Sequence, residues 1–309
     1  MKLSLVILLF FPAIILSIAA SSEPAANLNS IYYDKIMPIN DSRKLGPDQK
    51  TEQIIAVYDH EMKYLQQDLS ISSDEDVALL FKSANIAASY TMFFHYENNS
   101  IYIHDMASDL KELDRRNVSI ESQYKDMFDA YISARMFDMA RVLAKEHPSI
   151  DFGKTPEFLV DKSYSDGKPS ELVIRSDRPY AILRSVDLNT NYRIVIVAEC
   201  HVSRDAARAI EANTSLREAF KKGNAVWIQP ADRTLNFEFV RQWNAEFPDE
   251  QISIAYRNKD WADIDFSRIP NFYIYKNGKL IFHEVGWWKN GSAPKSILKD
   301  LHDAGLLNS

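Results

Sequence analysis

The stretch Arg193-Ile194-Val195-Ile196-Val197-Ala198-Glu199-Cys200-His201-Val202-Ser203 decides how this chain is read. Residues 193–198 form a β-branched run that suits a strand buried on both faces. Residues 203–213 then take helical spacing. The junction between strand and helix carries the single cysteine of the 309 residues. A thiol placed there faces free backbone N–H groups and the positive end of a helix dipole, both of which stabilise a thiolate. Ser203 can donate a hydrogen bond to the sulfur. Glu199 works the other way by like-charge repulsion, and His201 adds positive charge only when protonated.

Outward from this junction the pattern keeps alternating. Helical spacing continues at 216–221, and 225–229 is a strand. Residues 235–247 form a helix with Phe237, Val240 and Trp243 on one face. A strand at 251–256 follows, then strands at 271–275 and 279–284 joined by Lys276-Asn277-Gly278, a strong hairpin signal. An amphipathic helix at 294–306 closes the chain with Ile297, Leu298 and Leu301. Upstream, 157–163 and 170–176 flank Asp166-Gly167 as a hairpin, and 180–186 is a further strand.

Before residue 151 the period is helical. Residues 23–47 read as a flexible leader punctuated by Pro24, Asn27, Asn29, Pro38, Asn40, Gly46 and Pro47. A first helix is expected over 48–68. Ser72-Ser73-Asp74 caps a second, whose stripe is Val77, Leu80, Phe81, Ala84, Ala87, Ala88 and Thr91, broken at Asn98-Asn99. Met106, Leu110 and Leu113 mark another helix. Ser119 and Ser122 open one carrying Met127, Phe128 and Tyr131. The helix with Phe137, Ala140 and Leu143 stops at His147-Pro148. Residues 48–150 thus form antiparallel helical hairpins, tetratricopeptide-like at most.

Composition narrows the class. Hydrophobic residues at 46 % and charged residues at 26 % exclude wholesale disorder and collagen-like repeats. A net charge of −7 argues against a nucleic-acid binder. One cysteine excludes an internal disulfide framework and any zinc site built on several thiolates. Residues 23–150 hold 13 basic against 21 acidic residues, whereas 151–309 hold 22 of each, so the helical part carries the negative charge. The start, Met1-Lys2 followed by an apolar run to Ala20 and small residues Ala19 to Ser22, reads as a signal peptide over 1–22. The rival is an uncleaved anchor helix, since about 18 apolar residues can just span a bilayer. The expected location is therefore export, to a periplasm or to the secretory pathway and extracellular space, soluble after cleavage. Asn40, Asn98, Asn117, Asn213 and Asn290 begin Asn-x-Ser/Thr, which means glycosylation only in a eukaryotic host.

Residues 190–307 resemble the thioredoxin-like superfamily in three pieces. The strand 193–198 runs into Glu199-Cys200-His201-Val202-Ser203, where that superfamily places Cys-x-x-Cys. Arg268-Ile269-Pro270-Asn271 resembles the Ile-Pro whose proline is cis and faces the cysteines. The run from Ile269 to Gly305 follows the order of a thioredoxin C-terminus. The resemblance implies an α/β/α sandwich with a mixed sheet over 151–309, with an N-terminal β-hairpin extension, preceded by the all-α part. Two departures bear on function. Ser203 replaces the second cysteine and cannot resolve a mixed disulfide. No carboxylate lies inside 193–198.

What the resemblance implies is a monothiol site. Cys200, Ser203 and Pro270 are its candidate catalytic residues; His201, Ile269 and Trp287 are its candidate binding residues. The expected partners are protein or peptide thiols and disulfides, without nucleic acid, and with a membrane only if the signal segment stays uncleaved. No cofactor and no metal are expected, because the seven histidines show no recognised ligand spacing. The alternative is a redox-inactive thioredoxin-fold scaffold whose helical part docks partners. The aromatic pair Trp287-Trp288 suits either an exposed patch or packing under the closing helix.

Overall fold

A computed structural model of the chain describes residues 27–153, 155–175, 177, 180–231, 235–287 and 293–307. The expected signal peptide, residues 1–22, lies outside the described residues, as do Trp288 and Asn290. No helix among the described residues is long and apolar enough to cross a membrane.

The first part is helical. Short helices α1 (Leu28–Ser30) and α2 (Met37–Asp41) are joined by a π-helical turn, Ile31–Ile36. They precede α3 (Pro47–Glu61), α4 (Asp74–Thr91), α5 (Tyr96–Arg115), α6 (Glu121–Ser133) and α7 (Phe137–Glu146). The stretch read from sequence as a flexible leader is thus helical over much of its length, and it buries Leu28, Ile31 and Ile36. Its punctuation has structural uses: Asn27 caps α1 by accepting from the Ser30 N–H at 3.2 Å, and Pro38, which has no N–H to give, sits where the π-helical turn passes into α2. The helix expected over 48–68 ends at Glu61 and continues as tight turns at Lys63–Gln67 and Leu69–Ile71.

The hairpin of α4 and α5 shows a second difference. Ser73 caps α4 through a reciprocal capping box with Asp76. The break, however, falls at residues 92–95, not at Asn98-Asn99, which lie inside α5. Asn99 is compatible with a helix because its amide donates across the hairpin to the Ala88 carbonyl (2.7 Å) and to the Thr91 hydroxyl (3.0 Å). The chain turns instead at His95, which takes the left-handed conformation at φ 57°. Nor do serines open α6: Gln123 reaches back to the Ile120 N–H at 2.9 Å, while the Ser119 hydroxyl bonds Asp114.

The second part is built on one eight-stranded mixed sheet. Its strands are β1 (Phe158–Val160), β2 (Ser170–Ile174), β3 (Ala181–Ser185), β4 (Arg193–Val197), β5 (Val226–Gln229), β6 (Ile252–Ala255), β7 (Asn271–Lys276) and β8 (Lys279–Val285). Its helices are α8 (His201–Ala212), α9 (Thr214–Lys222), α10 (Phe237–Glu246) and α11 (Lys295–Asp303). The strand order is β1-β3-β2-β6-β5-β4-β7-β8. β4, β5 and β6 run parallel through helical crossovers; β7 and β8 add antiparallel. Parallel strands with helical crossovers are thus followed by an antiparallel hairpin and a closing helix, the order expected from the sequence. The β7–β8 turn requires φ above zero at Asn277 and Gly278 (50° and 76°), which an Asn-Gly pair adopts readily. The hairpin of the extension is β2–β3, not the pair expected around Asp166-Gly167. β1 lies parallel to β3 at the sheet edge instead, because residues 161–169 turn back on themselves, with the Tyr164 N–H donating to the Asp161 carbonyl.

Alternation along each strand sorts side chains between two apolar layers. Ile194, Ile196, Trp227, Ile252, Phe272 and Ile274 share one core with Ala207 and Ile210 of α8, Trp243 of α10 and Leu301 of α11. Val195, Val197, Ile228, Tyr273 and Tyr275 face the other way, where Trp261, Ile264 and Phe266 cover them. The helical part is fastened to this sheet by Arg135. Its buried guanidinium donates to the carbonyls of Ile132 (2.9 Å), Ala255 (3.1 Å) and Tyr256. Asn258 adds a bond to the Met92 carbonyl at 3.4 Å, and Phe137 meets Phe158 edge to face.

Candidate functional site

Cys200 is the N-cap residue of α8, extended at φ −88°, ψ 175°, and is separated by Ala198 and Glu199 from the strand that buries Ile194 to Val197. Its own carbonyl accepts from the N–H groups of Ser203 (3.1 Å) and Arg204 (3.2 Å), which closes the first helical turn. Its sulfur is half-buried and meets two oxygens. The Ser203 hydroxyl is 3.5 Å away, and the Ile269 carbonyl lies 3.8 Å from the sulfur. Ser203 is fully buried, and its hydroxyl also accepts from the Glu199 N–H at 3.3 Å. The hydroxyl therefore bridges the residue before the cysteine and the sulfur itself.

The Ile269–Pro270 peptide bond is cis. Its loop is held from behind by a network that the sequence pattern did not single out. Asn271 donates to the Asp265 carbonyl (3.0 Å) and to the Tyr273 hydroxyl (2.6 Å). The Asp265 N–H donates to the same hydroxyl at 2.8 Å. His283 of β8 stacks on Tyr273 and reaches the Asn271 amide oxygen at 2.7 Å. Burial pushes the Tyr273 phenol up to about 12, so it stays neutral and keeps its hydroxyl proton. The Pro270 carbonyl accepts from the Gly286 N–H at 2.7 Å. The sequence placed Tyr273 and His283 on neighbouring strands, but nothing local announced that His283 would brace the Tyr273 ring.

The candidate residues thus fall into two groups. Cys200, Ser203, Ile269 and Pro270 come together. His201 is exposed on the first turn of α8, and neither of the hydrogen bonds at the Cys200 sulfur involves it. Trp287 is buried and packs on Phe272 at 5.6 Å between ring centres, in the layer that Ile297 and Leu301 share. An exposed patch at Trp287 is therefore excluded; the ring follows β8 into the packed layer because an indole there removes a large apolar area from water. Among the described residues no group of three or more His, Cys, Asp or Glu could hold a metal ion.

Next to Glu199 and Ile269, the neighbours of Cys200 in chain and in space, the two parts of the chain enclose an open cleft of about 460 Å³; Cys200 itself is not among the residues that line it. The α/β part contributes Glu199, Pro230, Phe266, Ser267 and Ile269; the helical part contributes Asn40, Pro47, Ser89, Tyr90, Phe93 and Phe94. Glu199 is positioned by the Gln229 amide, which donates to its carboxylate at 2.9 Å from the end of β5. Chemically, the site offers one thiol at a helix N-terminus, a buried hydroxyl beside it, and an adjoining cleft whose walls are largely apolar.

No protein-family model matches the chain, and no curated protein matches it. Among solved structures the chain is similar to a thioredoxin-like protein from Bacteroides caccae ATCC 43185. That similarity has 14 % sequence identity, spans 84 % of this chain and 93 % of the other, and has a TM-score of 0.31. The strand order and the placement of Cys200 against the Ile269–Pro270 bond describe the fold independently of it.

Proposed function

We propose that this chain is an exported thioredoxin-like protein that handles partner thiols or disulfides through Cys200 alone. The observation that carries the reading is the half-buried Cys200 sulfur at the N-cap of α8, against the Ile269 carbonyl. The thiolate attacks one sulfur of a partner disulfide. The partner's S–S bond breaks, a new one joins it to Cys200, and the second partner sulfur leaves as a thiolate. With Ser203 at the position of the usual resolving thiol, the mixed disulfide persists until an external thiol attacks it. Such a protein traps, escorts or slowly isomerises, and is a poor reductant by itself. Ser203 orients Cys200 through the hydroxyl contact; Pro270 and Ile269 present the backbone against which a partner segment lies.

The test is capture of disulfide-linked partners from the native compartment, resolved with and without reductant. The wild-type chain is expected to yield reductant-sensitive complexes, and Cys200→Ala none. Identical partners bound without any covalent link in both proteins would instead favour a second reading, a redox-inactive binding module. The observation on that side is the helical part seated against the α/β part, which offers docking surface without needing the thiol.

A further inference from the structure

The cleft has a construction that the thiol alone does not explain. On one side it begins at Glu199, the residue before Cys200; on the other it includes Ile269, whose carbonyl meets the sulfur. Its far wall belongs entirely to the helical part. There α4 ends at Thr91, and the N–H groups of Phe93 and Phe94 both turn back onto the Tyr90 carbonyl (3.2 and 3.4 Å). This tight turn, closed by left-handed His95, carries both phenyl rings past the helix end. The Asn258 amide ties the same turn to the α/β part through the Met92 carbonyl, and Phe93 packs on the same apolar layer as Ile269. The Tyr90 hydroxyl donates to the Asn40 amide oxygen at 3.2 Å, so the ring is fixed at the rim. Glu199 is the one charged residue among those described that line the cleft.

We infer that the helical part sets the substrate class of the thiol site. Tyr90, Phe93 and Phe94 accept an aromatic or branched aliphatic side chain next to the reacting cysteine of an extended partner segment. Glu199 selects against an acidic one. This inference rests on the reading of Cys200 as a reactive thiol. The cleft lies within the range of ligand sites, about 300–1,000 Å³, and aromatic walls reward burial of an apolar side chain. A carboxylate entering beside Glu199 meets like-charge repulsion, whereas a neutral or basic residue does not. A cleft with both groups therefore discriminates between partner disulfides that present identical sulfur chemistry.

The experiment uses the full chain and short peptides whose one cysteine is blocked as a thiopyridyl mixed disulfide. Cys200 attacks the peptide sulfur, the peptide–thiopyridyl bond breaks, and the released thiopyridone is read by absorbance. The residue after the cysteine is phenylalanine, leucine, serine, lysine or aspartate. The expected result is that phenylalanine and leucine react about tenfold faster than serine, with aspartate slowest. Phe94→Ala and Tyr90→Ser should bring the phenylalanine-to-serine ratio close to one, and Glu199→Gln should bring aspartate level with serine. The peptide series on the unaltered chain is decisive even where a variant fails to fold. Equal rates for all five peptides, in a chain whose Cys200 is alkylated by iodoacetamide, would overturn this inference and leave the thiol reading standing. A native chain that reacts neither with iodoacetamide nor with any peptide would overturn both.

Discussion

The helical part and the α/β part bury polar groups in different places. In the helical part, Asp105 and Asp109 of α5 occupy the same stripe as Met106, Leu110 and Leu113, and both carboxyls point into a tyrosine-lined interior. Asp105 is matched by the Lys63 ammonium and the Tyr58 hydroxyl (3.0 Å). Asp109 takes one bond, from the Gln66 amide at 3.1 Å, and its second oxygen has no partner among the described residues. Burial holds the Asp109 carboxyl well above the usual carboxylate range. In the α/β part, the two faces of the central strands are apolar, and the buried Glu171 is matched by Arg184 and by the Ser253 hydroxyl. The helix bundle thus carries its buried carboxylates on a core-facing stripe, whereas the α/β part keeps its own, Glu171 and Glu250, outside the apolar central strands; both parts leave buried polar atoms without a partner among the described residues.

The joint between the two parts is where this contrast breaks most visibly. Arg135→Ala removes the donor from three carbonyls at once and should lower stability by roughly 3–5 kcal/mol. All five tryptophans lie after residue 150, so indole fluorescence reports the α/β part, while helical circular dichroism is weighted to the other. In urea the two signals are expected to fall together in the wild-type chain and to separate in the variant, with dichroism lost first. Coincident transitions in Arg135→Ala would mean that the parts do not depend on this anchor.

Within the helical part, Asp109 is the sharper probe. Its folded pKa is raised above its unfolded value, so its contribution to stability is complete below the unfolded value, about 4, and is lost as pH rises through the folded one. Asp109→Asn keeps an acceptor for Gln66 without a buried charge. It should raise stability at neutral pH by roughly 1–3 kcal/mol and flatten the decline. Denaturant midpoints measured across pH check this, and an unchanged slope would place the pH dependence elsewhere.

Much of the α/β part is legible locally. Strands β4 to β8 follow β-branched runs and an Asn-Gly turn, and Cys200 and Ile269–Pro270 sit at recognisable junctions. The cleft is not legible, because Tyr90, Phe93 and Phe94 carry no sequence signal that distinguishes a rim from a core stripe. The α4–α5 turn was hidden for a related reason: Asn98-Asn99 has the composition of a break, yet Asn99 is satisfied across the hairpin, and His95 makes the turn through a left-handed conformation. Likewise the apolar period of α5 reveals its buried stripe but not that two aspartates belong to it. Tertiary partners decide those positions, and a local pattern does not contain them.

The α/β part has its own counterpart to Asp109. Glu250 is buried beside Glu211 and Asp249, and burial together with the Glu211 contact pushes its carboxyl up to about 8. Its contribution is present below the ordinary glutamate value and lost as pH rises towards that folded value. Glu250→Gln should flatten this dependence, and by less than Asp109→Asn does, because Glu250 is the less enclosed of the two carboxyls. The smallest effect is expected at the thiol. Cys200→Ser replaces a half-buried N-cap residue that makes no side-chain cap bond by a residue that caps well, and should change stability by under about 1 kcal/mol. A large loss there would assign Cys200 to packing and not to chemistry.

The most direct measurement is the intact mass of the native chain after incubation with oxidised glutathione. One glutathione adduct is predicted on the wild-type protein, absent from Cys200→Ala and removed by excess thiol. A wild-type chain that stays unmodified when folded, and takes the adduct only after unfolding in urea, would contradict the account of Cys200 as an accessible exchanging thiol.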